Sequence, residues 1–176
     1  MIITVGGYPG SGKSTLCKLL ISRYLTNYTY SYTGQIFRDM AAEKNMSIEE
    51  FYKQMASDPE GERAIDQRQA ELMRSEEYLV VDGRMAAFQS THFDMCKVLL
   101  TVDLEEGARR IQSRENKGKS LGQTLKEMKS RMEDERMRYR NLYRIEDFLD
   151  PKHYNLVLDT TKTNAEEIAW QLFRSL

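Results

Sequence analysis

Eight residues near the amino terminus have the types and the spacing needed to hold a phosphate. They read GYPGSGKS from Gly7 to Ser14 and fit the pattern G-x-x-x-x-G-K-[ST]. Glycines let successive backbone N–H groups curl around an anion, and a helix that follows points its positive end at the same place. In such a turn the lysine reaches the β- and γ-phosphates and the last hydroxyl binds Mg²⁺. We therefore expect a nucleoside triphosphate site formed by Gly7, Tyr8, Pro9, Gly10, Ser11, Gly12, Lys13, Ser14 and Thr15.

A glycine-rich turn can match this pattern by accident, so the flanking sequence matters. The apolar, β-branched run Ile2–Val5 precedes the turn, and leucines recur after it at helical spacing. This strand–turn–helix context is the one that the motif requires. A second apolar run, YLVVD, ends at Asp82. An aspartate at a strand end is often only a turn residue, but beside a glycine turn it predicts a carboxylate near Mg²⁺, together with Ser14.

The elements that must position these residues alternate between strands and helices. Strands are predicted at Ile2–Val5, Tyr28–Tyr32, Tyr78–Asp82, Val98–Val102 and Leu156–Asp159. The last three are apolar on both faces, which is typical of strands buried in a parallel sheet. Capping signals predict helix starts at Ser47, Asp58-Pro59, Asp103, Ser120 and Asn164. We expect an α/β fold, a three-layer α/β/α domain with a five-stranded parallel sheet.

Length and composition limit the classes of protein to consider. A chain of 176 residues with 40% apolar and 30% charged residues is typical of one globular domain. Its 26 basic and 27 acidic residues give no global field that favours nucleic acid or a membrane. No run approaches the roughly 20 apolar residues of a membrane span, and the first residues lack the features of a signal peptide. We expect a cytoplasmic monomer that acts on small molecules, with its cysteines reduced.

Two long excursions from the sheet indicate the class of phosphate-binding protein. The segments Gly34–Glu77 and Asp103–Leu149 are too long for simple crossovers and contain several helical patterns. They predict an acceptor-binding lobe over about 34–77 and a helical lid over about 105–143, within a single domain spanning 1–176. A GTPase should carry an Asn-Lys-x-Asp base reader, which this sequence lacks. Lobes that close and exclude water suit phosphoryl transfer to a second small substrate.

With these motifs in place, the sequence resembles the nucleoside monophosphate kinases, and within them the short cytidylate kinases of the archaeal type. The resemblance covers essentially the whole chain and rests on GYPGSGKST, TGQIFRDMA, DPEGERAIDQRQAEL, VVDGRMA, RYRNLY and YNLVLDTT in this order. It implies the P-loop kinase fold and Mg²⁺-dependent transfer of a phosphoryl group from ATP to a nucleoside monophosphate, CMP or dCMP before others.

The resemblance also implies which residues bind the acceptor. Thr33 stands near the base in the family, and Asp66 with Arg68 matches a pair in the acceptor pocket. Residues that match further parts of the acceptor site are Arg38, Arg84, Glu135 and Arg138. Phosphoryl transfer depends on positioning and on charge that stabilises phosphate oxygens, a role that planar guanidinium groups suit. We therefore expect a catalytic set of Lys13, Arg38, Arg84, Arg110, Arg114 and Arg138.

Other interpretations stay open. Most of the basic residues between Arg109 and Arg144 are also typical of a solvated amphipathic helix. Gly107 occupies a position where the family commonly has an arginine, which leaves the acceptor phosphate one charge short of the family pattern, and the segment FQSTHFDM departs from it as well. The alternatives are a kinase for another nucleotide or a metabolite, and a non-catalytic nucleotide-binding or RNA-interacting protein.

The chemistry of the base suggests how cytosine would be selected. Cytosine presents an N4 amino donor beside an N3 acceptor, whereas uracil presents an O4 acceptor beside an N3–H donor. An acceptor facing N4 therefore selects cytosine, and Asp66 with the Thr33 hydroxyl can supply it while Arg68 supplies or orients the donor. The alternative is that Asp66 and Arg68 are solvent-facing members of a helix that begins after Pro59.

Overall fold

Five parallel strands form the sheet at the centre of the molecule. The computed structural model describes residues 1–48, 50–51, 54, 59–89, 94–115 and 118–176. The strands are β1 at Ile2–Gly7, β2 at Thr29–Tyr32, β3 at Leu79–Asp82, β4 at Met95–Thr101 and β5 at Leu156–Asp159. They lie in the order β2-β3-β1-β4-β5, and all five predicted strands are confirmed. β4 begins before the predicted Val98 because its first residues pair with β1 although they are only half-buried.

Helices connect the strands and cover the sheet. In the described ranges they are α1 at Lys13–Leu19, which a π-helical turn at Leu20–Tyr24 extends, α2 at Thr33–Glu43, α3 at Pro59–Ser75, α4 at Ala86–Gln89, α5 at Leu104–Glu115, α6 at Leu121–Tyr143 and α7 at Ala165–Ser175. A 3-10 turn lies at Pro151–His153. None of the helices in these ranges combines the length and the apolar character needed to cross a bilayer.

Side-chain caps confirm most of the predicted helix starts. The capping side chains that accept backbone N–H groups are Ser47, Asp103, Ser120 and Asn164. Ser47 precedes the helical residues Ile48, Glu50 and Phe51. At Ser120 the bond is reciprocal, because the Gln123 side chain also accepts from the Ser120 backbone N–H. Asp58, the predicted cap of α3, lies outside the described residues, as do residues 90–93 of the segment FQSTHFDM.

The sheet carries a layer of helices on each side because its central strands are apolar on both faces. On one face, α1 and α7 pack over Ile3, Val5 and Val98. On the other face, α3 to α6 pack over Ile2 and Leu99 together with their neighbours. Consecutive residues of a strand point to opposite faces, so Ile2 and Ile3 serve different layers. The predicted three-layer α/β/α fold is confirmed.

Helix α6 belongs to the core as well as to the predicted lid. Met128, Met132 and Tyr139 are buried in one cluster with Leu99 of β4 and Phe148. Its buried face therefore ties the lid region to the sheet, while other faces of the helix carry the charged side chains. The boundaries of about 34–77 for the acceptor lobe and about 105–143 for the lid stay predictions.

Candidate active site

Several of the predicted site residues lie where three neighbouring strands end. The register pairs Val5 of β1 with Asp82 of β3, and Asp82 with Tyr32 of β2. Because parallel strands end at the same edge of a sheet, Thr33 after β2, Arg84 after β3 and the glycine turn after β1 start from one edge. This edge brings the triphosphate-binding and the acceptor-binding predictions together.

The glycine turn has the backbone conformation of a phosphate cradle. Gly10 and Gly12 have φ of 77° and 86°, in the left-handed region that favours glycine. The Lys13 ammonium donates to the carbonyl oxygens of Gly7 and Tyr8 at 3.0 and 3.2 Å. The lysine therefore lies folded over the turn, and its charge sits at the amino end of α1, where the helix dipole also favours an anion.

A second cation lies close to Lys13. Burial, and then the nearby positive charge of Arg84, lower the pKa of Lys13 to about 8, against the opposing effects of Asp82 and Glu135. A lysine whose charge is disfavoured by burial and by a second cation is typical of a site for a polyanion. The site is therefore suited to a ligand with several negative charges.

Oxygen ligands that fit Mg²⁺ lie beside the glycine turn. The Ser14 hydroxyl donates to Oδ2 of Asp82 at 2.5 Å, and the Tyr30 hydroxyl approaches the same oxygen at 3.4 Å. Burial and the neighbouring Asp82 raise the pKa of Tyr30, so it remains a neutral donor. A hydroxyl and a carboxylate are the hard oxygen donors that Mg²⁺ prefers. Ser14 and Asp82 therefore fit the predicted metal site.

A buried carboxylate from α6 holds Arg84. The Arg84 guanidinium lies 2.6 Å from Oε1 of Glu135, whose side chain is only 5% exposed. Arg131, one turn earlier on α6, donates to the same oxygen at 3.0 Å. Oε2 of Glu135 is buried and has no hydrogen-bond partner in the described ranges. Arg131 is absent from the predicted set, although its i, i+4 spacing to Glu135 is the usual signal of such an ion pair.

Asp66 of α3 lies at the carboxyl end of α6. The Tyr143 hydroxyl donates to Oδ2 of Asp66. Burial raises the pKa of Asp66, while Tyr143, Gln89 and the charge of Arg138 act in the opposite direction. The Arg138 guanidinium also lies 5.3 Å from the ring centre of Tyr139. The structure therefore brings two predicted substrate residues, Asp66 and Arg138, into the same neighbourhood.

Arg68 lies on a different face of α3. Its guanidinium is 58% exposed and pairs with Glu43 at 3.4 Å and with Glu71 at 4.0 Å. Residues two positions apart on a helix point in nearly opposite directions, so Asp66 and Arg68 do not share one pocket. The structure thus does not bring this predicted pair together.

Gln69, which is absent from the predicted set, shares the face of Asp66 and contacts Thr33. The Gln69 side chain is 1% exposed, and its Nε2 donates to the Thr33 hydroxyl at 3.1 Å. The same hydroxyl approaches the carbonyl oxygen of Asp82 at 3.5 Å. A Cβ on Gly83 would lie 2.9 Å from both the Gln69 nitrogen and the Thr33 hydroxyl. The i, i+3 spacing from Asp66 is the signal that predicts this shared face.

Arg38 is exposed on α2 and is held by its own segment. The guanidinium donates to the Tyr32 hydroxyl and lies 5.2 Å from the ring centre of Tyr32. Gln35 Oε1 accepts a further, longer hydrogen bond from it at 3.4 Å. Arg38 is therefore not among the charges around Lys13 in this structure.

Arg110 lies beside a cavity on the other side of the glycine turn. It donates to the carbonyl oxygens of Thr160 and Thr161 at 2.7 and 3.2 Å. The cavity has a volume of about 240 Å³, and its lining includes Ser11, Gly12, Thr15, Arg110, Thr160 and Asn164. Arg114 lies one turn later on α5, on its exposed side. The predicted lid arginines therefore lie in different places. Arg138 is near Asp66, and Arg110 lines this cavity.

Helix α5 approaches the glycine turn closely, with Gly107 of the helix next to Gly10 of the turn. A Cβ on Gly10 would lie 2.4 Å from the carbonyl oxygen of Gly107, and a Cβ on Gly107 would lie 2.9 Å from the carbonyl oxygen of Pro9. The two backbones approach this closely because neither glycine carries a side chain. Gly107, the position where the resemblance predicts an arginine, thus faces the glycine turn.

Comparison with known proteins gives matches over most of the chain. Residues 3–138 match a family model described as AAA domain. The chain is 38% identical to the cytidylate kinase of Pyrococcus abyssi, over 96% of this chain and 89% of that protein. It is 38% identical to the cytidylate kinase of Methanocaldococcus jannaschii, over 96% of this chain and 93% of that protein. A shikimate kinase from Bacteroides thetaiotaomicron has a similar fold, with a TM-score of 0.64, 17% identity and coverage of 99% of this chain and 97% of that chain.

Proposed function

The chain belongs to the cytidylate kinase family of P-loop kinases, and on this basis we propose that it transfers the γ-phosphoryl group of ATP to CMP or dCMP. The observation that carries the proposal is the meeting of Lys13, Arg84 and the Ser14–Asp82 pair at one edge of the sheet. Charges of both donor and acceptor phosphates must be stabilised at one place during such a transfer.

The glycine turn holds the donor in this proposal. Its backbone N–H groups and Lys13 bind the phosphates, and the cavity beside Arg110 and Thr160 accepts the nucleoside end. Ser14 and Asp82 hold Mg²⁺, which when bound neutralises charge on the phosphate oxygens.

Arg84 binds the acceptor phosphate, and Glu135 keeps it in place. The ion pair with Glu135 restricts the Arg84 guanidinium to a position next to Lys13. A buried carboxylate oxygen without a hydrogen-bond donor is unfavourable, so Oε2 of Glu135 is suited to accept from a ligand hydroxyl such as that of the sugar. Arg38 joins the acceptor site by leaving Tyr32, since an exposed cation–π contact contributes only about 0.5–1 kcal/mol.

The Asp66 carboxylate selects the base. A cytosine amino group donates to it, whereas the O4 atom of uracil would face it with lone pairs against lone pairs. Thr33 directly follows β2, and Gln69 holds its hydroxyl by a hydrogen bond. This hydroxyl is a second polar group for the base beside Asp66. The roles predicted for Arg68 and Arg114 stay predictions.

The reaction is a direct transfer. An oxygen of the acceptor phosphate attacks the γ-phosphorus, and the bond from that phosphorus to the β–γ bridging oxygen breaks. Lys13 and Arg84 stabilise negative charge on the phosphates, and no side chain forms a covalent bond. α5 and α6 exclude water, which would otherwise hydrolyse ATP.

Incubation of the protein with ATP, Mg²⁺ and a panel of nucleoside monophosphates tests the proposal. We expect ADP release with CMP and dCMP well above the control with ATP alone, a lower rate with UMP, and poor rates with AMP and GMP because purines need more room. Preference for AMP, or for a metabolite outside the panel, would contradict the base assignment. ADP release that no acceptor increases would contradict a kinase function.

The location and the oligomeric state of the protein stay predictions. We expect a cytoplasmic monomer that needs neither nucleic acid nor a membrane for activity. Light scattering during size-exclusion chromatography of the active protein tests the monomer.

A further inference from the structure

We propose that Tyr143 is a positioning residue that holds Asp66 as a hydrogen-bond acceptor and thereby sets the preference for cytosine over uracil. This inference rests on the proposed function, because it requires that the Asp66 carboxylate faces the base. Tyr143 has no role in the predicted site, and the structure places its hydroxyl on Oδ2 of Asp66.

The position of the tyrosine is well defined by its surroundings. Tyr143 is the last residue of α6, and Arg144 follows with φ of 59°, so the helix ends directly after it. The Tyr143 ring lies 6.3 Å from the ring of Tyr139, which is buried in the cluster under α6. The hydroxyl is thus presented to α3 by a helix that the core holds in place.

The same helix positions both ends of the acceptor site. Glu135 holds Arg84, and Tyr143 holds Asp66. The two α6 residues are eight positions apart, which corresponds to about 12 Å of helix. This spacing separates the two side chains by about 80° around the helix axis, so one broad face of α6 contacts both the phosphate-binding arginine and the base-binding carboxylate.

A hydrogen bond from Tyr143 determines what Asp66 can offer to a base. Tyr143 donates to Oδ2, and an ionised carboxylate can only accept further hydrogen bonds, which matches the cytosine amino group. A protonated carboxyl would offer a donor instead, which matches uracil O4. Selectivity for cytosine therefore depends on Asp66 being ionised at the working pH.

The direction of the effect follows from the groups around Asp66. Burial raises the pKa of Asp66, and Tyr143 and Arg138 from α6 with Gln89 from α4 favour its charged form. Removal of the Tyr143 hydroxyl removes a hydrogen bond to the charged form and raises the pKa of Asp66 further. The preference for CMP is present above this pKa and decreases as the pH falls through it, so Tyr143→Phe moves the decrease to higher pH.

The experiment measures kcat/KM for CMP and for UMP from about pH 4, near the ordinary range of a carboxyl group, up to about pH 9. The ratio of the two values cancels ionisations that both reactions share, such as those of ATP, Lys13 and the acceptor phosphate. The proteins are the wild type, Tyr143→Phe, Asp66→Asn and the double variant. Tyr154→Phe is a matched control, because its partly buried hydroxyl also donates a hydrogen bond, at 2.7 Å to the Phe148 carbonyl rather than to Asp66.

We expect Tyr143→Phe to shift the pH dependence of the CMP-to-UMP ratio upward by about one unit, with no such shift in Tyr154→Phe. In the Asp66→Asn background the tyrosine change should leave the ratio unchanged, since the group it acts on is gone. An unchanged profile in Tyr143→Phe, or an equal loss for both substrates at every pH, would overturn the inference. Failure of the proposed function is seen separately, as a wild type that does not accept CMP or an Asp66→Asn variant with the wild-type ratio.

Discussion

The Arg84 guanidinium and the Glu135 carboxylate form an ion pair of 2.6 Å that joins the carboxyl end of β3 to α6. Arg84 lowers the pKa of Lys13, whereas Glu135 raises it. The Glu135 carboxylate therefore favours the charge of two cations that bind different substrates in the proposed reaction. Arg131 donates to the same carboxylate oxygen. The acceptor side of the site is therefore organised by a charge in the predicted lid, and the predictions below start from this arrangement.

Glu135→Gln should destabilise the protein and weaken the binding of CMP. Removal of one partner of a buried ion pair leaves the other charge uncompensated, and with Arg84 partly exposed we expect a loss of about 2–3 kcal/mol in the free energy of unfolding. Urea denaturation measures this loss, and steady-state kinetics measure the rise in KM for CMP. Glu133→Gln is the control, because Glu133 is 64% exposed and lies 3.8 Å from Arg136. Equal stability of the two variants would contradict a structural role for the Arg84–Glu135 pair.

Lys13→Met should abolish phosphoryl transfer while the fold is retained. The lysine supplies positive charge where negative charge grows during the transfer, and loss of such a charge costs about 10²–10³-fold or more in kcat. Circular dichroism confirms the fold, and a coupled assay for ADP measures kcat. Lys18→Met, an exposed residue on the same helix, should retain wild-type turnover. Near wild-type turnover of Lys13→Met with any acceptor would show that the glycine turn is not the phosphate cradle.

Binding of ATP should be accompanied by uptake of protons near pH 8. Burial and Arg84 lower the pKa of Lys13 to about 8, so part of the population is uncharged at that pH. A bound triphosphate favours the charged form and raises this pKa, which requires a proton from solution. Calorimetric titration in two buffers with different ionisation enthalpies measures the uptake. It should vanish in Lys13→Met and persist in Lys18→Met, and its absence from the wild type would contradict the lowered pKa.

Arg38→Ala and Arg138→Ala should have different kinetic effects. Arg38 lies in the predicted acceptor lobe, so we expect its loss to raise KM for CMP far more than KM for ATP. Arg138 is expected to contact the reacting groups chiefly in the closed state, so its loss should lower kcat. Steady-state kinetics with each substrate varied in turn separate the two outcomes. Equal damage to ATP and CMP binding by Arg38→Ala would contradict the division of roles.

Gly107→Ala should impair ATP binding although alanine favours helix. A Cβ at this position would lie 2.9 Å from the carbonyl oxygen of Pro9 and 3.1 Å from Cγ1 of Val102, so the glycine turn must shift. We expect a raised KM for ATP and a lower melting temperature, with a larger effect for Gly107→Arg. Gly122→Ala is the matched control, because the space around its Cβ is open and the change should add up to about 1 kcal/mol of stability. Identical behaviour of the two alanine variants would contradict the close approach.

Much of the fold and of the donor site follows from local patterns in the sequence. Strands buried in a parallel sheet carry runs that are apolar on both faces, and β3 and β4 were predictable for this reason. β5 carries the same pattern but lies at the sheet edge, where Val157 is 42% exposed, so its predicted burial on both faces was wrong. The glycine turn was predictable because its chemistry lies within a few consecutive residues. The link between Ser14 and Asp82 was also predictable, since both follow buried strands whose ends must meet.

The acceptor site depended on the tertiary structure, because its contacts join residues far apart in the chain. Nothing local indicates that Glu135 contacts Arg84 or that Tyr143 contacts Asp66. In helix α3, the residue that shares the face of Asp66 is the buried Gln69, three positions later, and not the exposed Arg68. Sequence alone thus determined the candidate donor site, because the glycine turn is one short segment and Asp82 ends a strand whose edge position is predictable. The packing of α6 against α3 and β3 determined the candidate acceptor site, because its residues meet only in the folded chain.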